Sequence, residues 1–293
     1  MVEFSLSQTD TKLEAHTSLV CFRVFATTRR LESMQDLSAR GIETLALDVT
    51  DIEAIRRVRD DIAIKTGGKL DVLVNNAWAI RQINGWPEFH NLLEAYAVAA
   101  TDMDMAAVRA LYELNVFAPM CMVQEFIHLL ISSSQARIVN IGSLSGITPV
   151  PFSAAYNTSK AALHAFGNTL RVELAPFNIS VVTVVTGGVQ SNIVKPNSIP
   201  EHSLYKSMEK VYQEKRINMS QNNATPAGEY ARIVVAETKK ANPRGWLWAA
   251  HQSTVVWFID TFLPRGFMTW MMARMFGFAE FSVELRKGKD KRV

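Results

Sequence analysis

No glycine precedes Gly41 in this 293-residue chain, and only 14 occur in all. The shortage matters because a backbone that must turn tightly against a phosphate relies on glycine. Cysteine is scarcer still: Cys21 and Cys121 are the two present. They are too few for a disulfide framework and have no Cys or His partners at zinc spacing, so a reducing setting is expected. The six histidines, His16, His90, His128, His164, His202 and His251, show no ligand spacing and read as structural or surface residues. One-sided charge is missing too. With 31 basic and 28 acidic residues the net charge is +3, too balanced to argue for nucleic acid as a partner. No uninterrupted apolar run reaches the roughly 18 residues of a spanning helix, so none is expected. Met1 to Asp10 has neither a basic nor an apolar stretch of the secretory kind, so no such signal is expected. Lys65-Thr66-Gly67-Gly68-Lys69 lacks phosphate-loop spacing and reads as a helix stop.

What remains is globular: 48% hydrophobic and 20% charged residues exclude wholesale disorder. Apolar runs alternate with helical patterns. Phe22 to Thr27, Thr44 to Leu47, Leu70 to Val74, Arg137 to Ile141, Ile179 to Val185 and Gly245 to Ala250 read as strands. Helical patterns lie at about Arg30 to Arg40, Asp51 to Lys65, Asp104 to Ser132 and Ala154 to Leu174. Short apolar strands joined by crossover helices predict an α/β fold, a doubly wound parallel sheet with helices on both faces. Ligands of such sheets sit beyond the carboxyl ends of the strands, so chemistry is sought just after Thr27, Leu47, Val74, Ile141 and Val185.

Those strand ends hold a constellation. Asn75-Asn76-Ala77 follows Val74, and Gly142-Ser143 follows Ile141. Tyr156 and Lys160 come next, four residues apart on a predicted helix, where i and i+4 share a face. An ammonium beside a phenol favours the phenolate and brings a group of pKa about 10 into use as an acid or base. The pair alone is common by chance, and its plain alternative is a surface helix contact.

With Asn115 added, the set Asn75-Asn76-Ala77, Asn115, Ser143, Tyr156 and Lys160 resembles the short-chain dehydrogenase/reductase family over roughly Phe22 to Asn192. The resemblance implies a Rossmann-like domain over 1–293, with 19–192 as cofactor-binding and catalytic core and 193–293 as substrate lid and aromatic-rich segment. It implies that Tyr156 exchanges a proton with the substrate oxygen and that Lys160 lowers its pKa and holds the nicotinamide ribose. Ser143 would polarise the carbonyl, and Asn115 would anchor a water. Asn75, Asn76 and Ala77 would line the cofactor, as would Val189 and Ser191 in the loop Thr186-Gly187-Gly188-Val189-Gln190-Ser191, which could equally be a plain turn. Arg29 and Arg30 suit the 2′-phosphate of NADP(H), unless they are simply solvated. Asp48 and Val49 stand where the family meets adenine, and Asp48 could instead cap the following helix.

Two departures stand out. The family opens with a strand and a glycine-rich turn, and counting back from Arg30 places that strand before Met1. A missing first strand and a lost pyrophosphate cradle are therefore expected. Trp78 to about Ala95 reads as inserted between Asn75 and Asn115. A gene model lacking a first exon and keeping an intron would account for both features. The rival account is a genuine, degenerate chain.

Beyond Asn192, Ser203 to Ile217 reads as a mobile lid. Trp246 to Phe278 is dense in aromatics and methionines and ends in a basic tail with Arg286, Lys287, Lys289, Lys291 and Arg292. This segment reads either as lid, core or dimer contact, or as a peripheral membrane or lipid-surface contact. Phe25 to Arg30, Gly41 to Thr44, the Thr186 loop and the aromatic tail resemble the fungal acyl-dihydroxyacetone-phosphate reductase branch. The activity implied is NADP(H)-dependent reduction of a ketone on a small hydrophobic, lipid-like or secondary-metabolite substrate, or the reverse. The partner expected beside that substrate is a second copy in a homo-oligomer. The place expected is the cytoplasm, with the surface of the endoplasmic reticulum or lipid droplets as the peripheral variant. The rival is a catalytically impaired homologue serving as a binding or heterodimer partner.

Overall fold

The computed structural model describes residues 3–8, 22–76, 96–190, 198–217, 219 and 222–290. Its sheet has seven strands: β1 (Glu3–Gln8), β2 (Phe22–Thr28), β3 (Glu43–Ala46), β4 (Val72–Asn75), β5 (Arg137–Ile141), β6 (Ser180–Thr186) and β7 (Trp246–Ala249), in the order β3-β2-β1-β4-β5-β6-β7. The pairs β2–β3, β4–β5, β5–β6 and β6–β7 are parallel, as expected of a doubly wound α/β fold. Between β2 and β4 the expectation of a missing first strand is corrected. β1 fills the central position, but antiparallel to both neighbours, with Glu3 opposite Thr27, Gln8 opposite Phe22 and Leu6 opposite Val72. The physical reason is that β2 and β4 would otherwise present unpaired backbone to each other. The alternating sequence Glu-Phe-Ser-Leu-Ser-Gln supplies a strand, and one entering from the opposite direction needs no glycine turn at its end. The expected insertion, 78–95, lies outside the described residues.

The helices are α1 (Gln35–Ala39), α2 (Ile52–Thr66), α3 (Met105–Tyr112), α4 (Ala118–Ile131), α5 (Ala154–Glu173), α6 (Glu209–Val211), α7 (Ala227–Thr238), α8 (Ser253–Phe262), α9 (Arg265–Met275) and α10 (Phe278–Asp290). Local chemistry explains where they begin and end. The Asp51 carboxylate accepts from the Glu53 and Ala54 N–H groups to start α2, and Gly67, at φ +66°, closes it in the left-handed region that L side chains avoid. Asp104 starts α3 in the same way, accepting from Ala106 and Ala107. The single helix expected from Asp104 to Ser132 is interrupted by a π-helical turn, Glu113–Phe117, which carries Asn115. By length and composition Met105–Ile131 is apolar enough to cross a membrane, contrary to the sequence expectation. Its apolar side nevertheless packs into the core through Leu111, Leu114, Met122, Phe126 and Leu130.

Strand alternation distributes the core between two faces. Leu73, Ile138 and Val181 pack with Ile55 of α2 and Phe126 and Leu130 of α4. Val72, Val139, Val182 and Val184 pack on the other side with Leu247 and with Tyr230 and Val234 of α7. This two-sided burial is why the parallel strands read as continuous apolar runs. A third cluster sits over the carboxyl ends of the strands. Phe152, Met208, Tyr212, Met272 and Phe276 are buried there, and the Tyr212 hydroxyl donates to the Ala97 carbonyl at 2.7 Å. The expected lid, Ser203 to Ile217, contributes Met208, Tyr212 and Ile217 to this packed ceiling.

Leu6→Pro tests the central strand. It removes one ladder donor between two partner strands, and urea denaturation should show a loss of about 2 kcal/mol or more. Unchanged stability would place residues 3–8 outside the sheet.

Candidate active site

The carboxyl end of β5 is tied to α5. The Lys160 Nζ donates to the Ile141 carbonyl at 3.0 Å, and Lys160 is only 5% exposed. One turn earlier on α5, the Tyr156 ring lies with its centroid 5.9 Å from that Nζ. Ser143, two residues past Ile141, accepts at Oγ from the Ser145 N–H at 3.1 Å and hydrogen-bonds the Tyr156 phenol. Asn115, 3% exposed in its π turn, donates from Nδ2 to Ser159 Oγ at 3.0 Å, and that hydroxyl in turn donates to the Tyr156 carbonyl at 2.8 Å. Ser143, Tyr156 and Lys160 thus converge at one strand end, with Asn115 bracing the helix behind them.

Burial dominates the electrostatics. It pushes the Lys160 ammonium down to about 8. It pushes the Tyr156 phenol up, opposed by the hydrogen bond with Ser143 and then by the Arg216 guanidinium. The sequence reading had Lys160 in that opposing role. Arg216 was not foreseen: it is buried in the π-helical turn Tyr212–Ile217 and donates from Nε to the Ser153 hydroxyl at the start of α5. No local pattern announces it, because the contact joins elements distant in sequence. His164 is also buried, one turn beyond Lys160, and burial and then Lys160 hold its imidazole down to about 4. Its spacing of four from Lys160 was the available signal.

The expected cofactor residues divide. Arg29 and Arg30 follow β2 directly, Arg29 half-buried and Arg30 exposed. Asp48 neither caps α2 nor stands open: its Oδ1 accepts from the Thr50 N–H at 3.0 Å and hydroxyl at 2.7 Å. Val49 is buried in the core beside α2. Asn75 is buried and donates from Nδ2 to Asn140 Oδ1 at 2.8 Å, a tie between β4 and β5, while Asn76 sits at the strand end. Val189 bridges to Thr225 beyond β6. In the same loop, Thr186 shares a 2.7 Å hydrogen bond with the Tyr230 hydroxyl, and a Cβ on Gly187 would lie 1.9 Å from the His251 carbonyl oxygen. Only glycine fits there. Ala77 and Ser191 lie outside the described residues.

A model of the short chain dehydrogenase family matches residues 8–201. A short-chain dehydrogenase of Pyricularia oryzae is 35% identical over 260 residues, covering 87% of this chain and 86% of that protein. The chain belongs to the short-chain dehydrogenase family. An NADPH-dependent 1-acyldihydroxyacetone phosphate reductase of Schizosaccharomyces pombe is 39% identical over 202 residues, 67% of this chain and 63% of that one. Among solved structures, a short-chain dehydrogenase from Streptomyces avermitilis matches with a TM-score of 0.66 at 23% identity over 89% of each chain, a likeness of fold. Membership makes the chain an oxidoreductase homologue and gives the Ser143, Tyr156 and Lys160 cluster its family context.

Burial of the Lys160 ammonium works against stability. The folded pKa of Lys160 lies below the usual 10.5, at about 8, so the ammonium is a full burden below pH 8 and none above about 10.5. Lys160→Met should therefore raise stability at pH 7 by about 1–3 kcal/mol in urea denaturation, the gain shrinking as pH rises from 8 to 10.5. A loss of stability would mean that the bond to Ile141 outweighs burial.

Proposed function

We propose that this chain is an NADP(H)-dependent ketone reductase for a small hydrophobic substrate of lipid-like or secondary-metabolite character. The observation that carries the reading is the convergence of Ser143, Tyr156 and Lys160 at the end of β5, beneath an apolar ceiling. Two parts of the cofactor have matching residues. Arg29 and Arg30, at the end of β2, suit a ribose phosphate. Lys160 suits the other ribose, with Asn76 and Val189 along the same edge. The pyrophosphate is less well served, since the described residues contain no glycine turn and the antiparallel β1 brings Glu3 to that end of the sheet. When bound, the nicotinamide supplies hydride. The chain supplies the rest. Ser143 orients the carbonyl by hydrogen bonding, and the Tyr156 hydroxyl, within reach of Ser143, gives its proton to the carbonyl oxygen. The Lys160 ammonium and Arg216 guanidinium stabilise the phenolate left behind. Phe152, Tyr205, Tyr212, Met272 and Phe276 exclude water and accept an apolar substrate.

The antiparallel β1 also favours a second reading, in which the chain keeps its proton-transfer residues but binds no dinucleotide and serves a partner. Calorimetry with NADPH and NADH separates the two. NADPH should bind in the micromolar range, and Arg29→Ala/Arg30→Ala should weaken it about 10- to 100-fold while leaving NADH nearly unchanged. A folded protein that binds neither nucleotide would replace the reductase with the partner protein. In either case a second copy is the proposed companion. Met103, Met105, Val108, Tyr112 and Phe117 line an open apolar groove beside α5, with Met105 and Phe117 exposed.

The proposal extends to location. Trp257 (40% exposed), Phe258 (54%) and Phe262 (61%) on α8 and Trp270 (58%) on α9 are exposed, and α9 also carries Arg265 and Arg274. Exposed aromatics bordered by cations suit the headgroup region of an anionic lipid surface, at the endoplasmic reticulum or a lipid droplet rather than free in the cytoplasm. The protein should sediment with phosphatidylserine vesicles, and Trp257→Ser/Phe262→Ser should release most of it into the supernatant. Equal binding by the double variant, or none by the native protein, would end the lipid proposal.

A further inference from the structure

Three consecutive residues at the end of β5 are each held from a different direction. The Ile141 carbonyl accepts from Lys160 Nζ at 3.0 Å, the Gly142 N–H donates to the Val184 carbonyl at 2.8 Å, and the Ser143 N–H donates to His164 Nε2 at 3.3 Å. The two glycines beside Ser143 make room for that imidazole. A Cβ on Gly142 would lie 2.3 Å from His164 Nε2, and one on Gly146 would lie 2.6 Å from Cε1. On its other side the ring meets Trp246 edge-on, with centroids 5.3 Å apart. Since Nε2 accepts, the ring proton is on Nδ1, and Nδ1 is buried without a hydrogen-bond partner. A buried unpaired donor is unfavourable, so satisfaction of its own polar atoms does not explain a histidine at this position. The bond to Ser143 does. We infer that His164 is a positioning residue, a neutral imidazole that fixes the Ser143 turn so that its hydroxyl meets the substrate oxygen alongside Tyr156. The consequence for turnover rests on the reductase reading, whereas the hydrogen bond itself does not.

A protonated ring would offer N–H at both nitrogens and lose the acceptor. Burial and the neighbouring Lys160 guard against this by holding the imidazole at about 4. Gln is the conservative replacement, because its Oε1 can reach the place of Nε2, and Leu fills the volume without an acceptor.

The test compares His164→Leu and His164→Gln in the full chain. Amide exchange at Ser143 should speed up by about tenfold or more in the Leu variant and return to within about threefold of native in the Gln variant. Imidazole nitrogen shifts in the native protein should show the proton on Nδ1. With menadione as carbonyl probe, His164→Leu should lower kcat about 10- to 100-fold with the KM for NADPH little changed, and Gln should recover most of the loss. Leu and Gln variants with equal Ser143 exchange, or a native proton on Nε2, would overturn the assignment. A native protein that exchanges as expected but never oxidises NADPH would sink the reductase reading and leave the His164 assignment standing.

Discussion

A cation buried against one carbonyl organises this molecule. Lys160 sits almost wholly out of water with Ile141 as its recorded hydrogen-bond acceptor, which joins the longest helix to the strand whose end carries Ser143. The same desolvation reaches every ionisable neighbour. It raises Tyr156 and Tyr230 and lowers Lys160, His164 and Arg216, each toward its uncharged form. A pocket so dry makes each charge expensive and each hydrogen bond strong. That is the setting in which a phenol gives up a proton only when a substrate oxygen and two nearby cations receive the change together.

The sheet decides where this pocket can lie. Six strands run one way, so their carboxyl ends share an edge: Arg29, Asn76 and Thr186 fall along it because each directly follows or ends a strand, and Ser143 lies two residues past β5. The antiparallel β1 breaks the pattern at the centre. It satisfies the ladders of β2 and β4, yet at the shared edge it presents the start of a strand, where a parallel strand would turn into a helix N-terminus. The sheet is complete as architecture and altered as a nucleotide platform. The reductase and partner readings differ over this one replacement.

Legibility followed the range of the interactions. Asp51 and Gly67 set the ends of α2 by contacts within a few residues, and the Tyr156–Lys160 spacing needs only one helical turn, so both could be read from the chain. The strands β4, β5 and β6 were legible because burial on both faces makes their residues uniformly apolar. β1 was not, since a six-residue alternating segment carries little signal and no glycine turn follows it. Arg216 and His164 escaped for another reason. The first reaches Ser153 across 63 positions, and the second matters only because Gly142 and Gly146, on a different element, leave it space. At Asp48 the helix-cap alternative gives way to a local turn: its carboxylate accepts from Thr50, and Asp51 caps α2.

One helix links the pocket to the surface. Along α9, Met268 and Met272 point inward, one turn apart, and Met272 joins Phe276, Phe152 and Tyr212 in the ceiling over the site. On the opposite side of the same helix Trp270 and Arg274 face outward. A substrate with a long apolar part needs a route that never leaves it in water, because each exposed methylene costs about 0.8 kcal/mol. Under the proposed reading α9 would offer such a route, with Met268 and Met272 on its inner side and Trp270 on its outer side. In the proposed reading the lipid-like substrate and the peripheral location would be physically coupled, because an apolar substrate held in a lipid surface favours an enzyme whose ceiling rests on that surface.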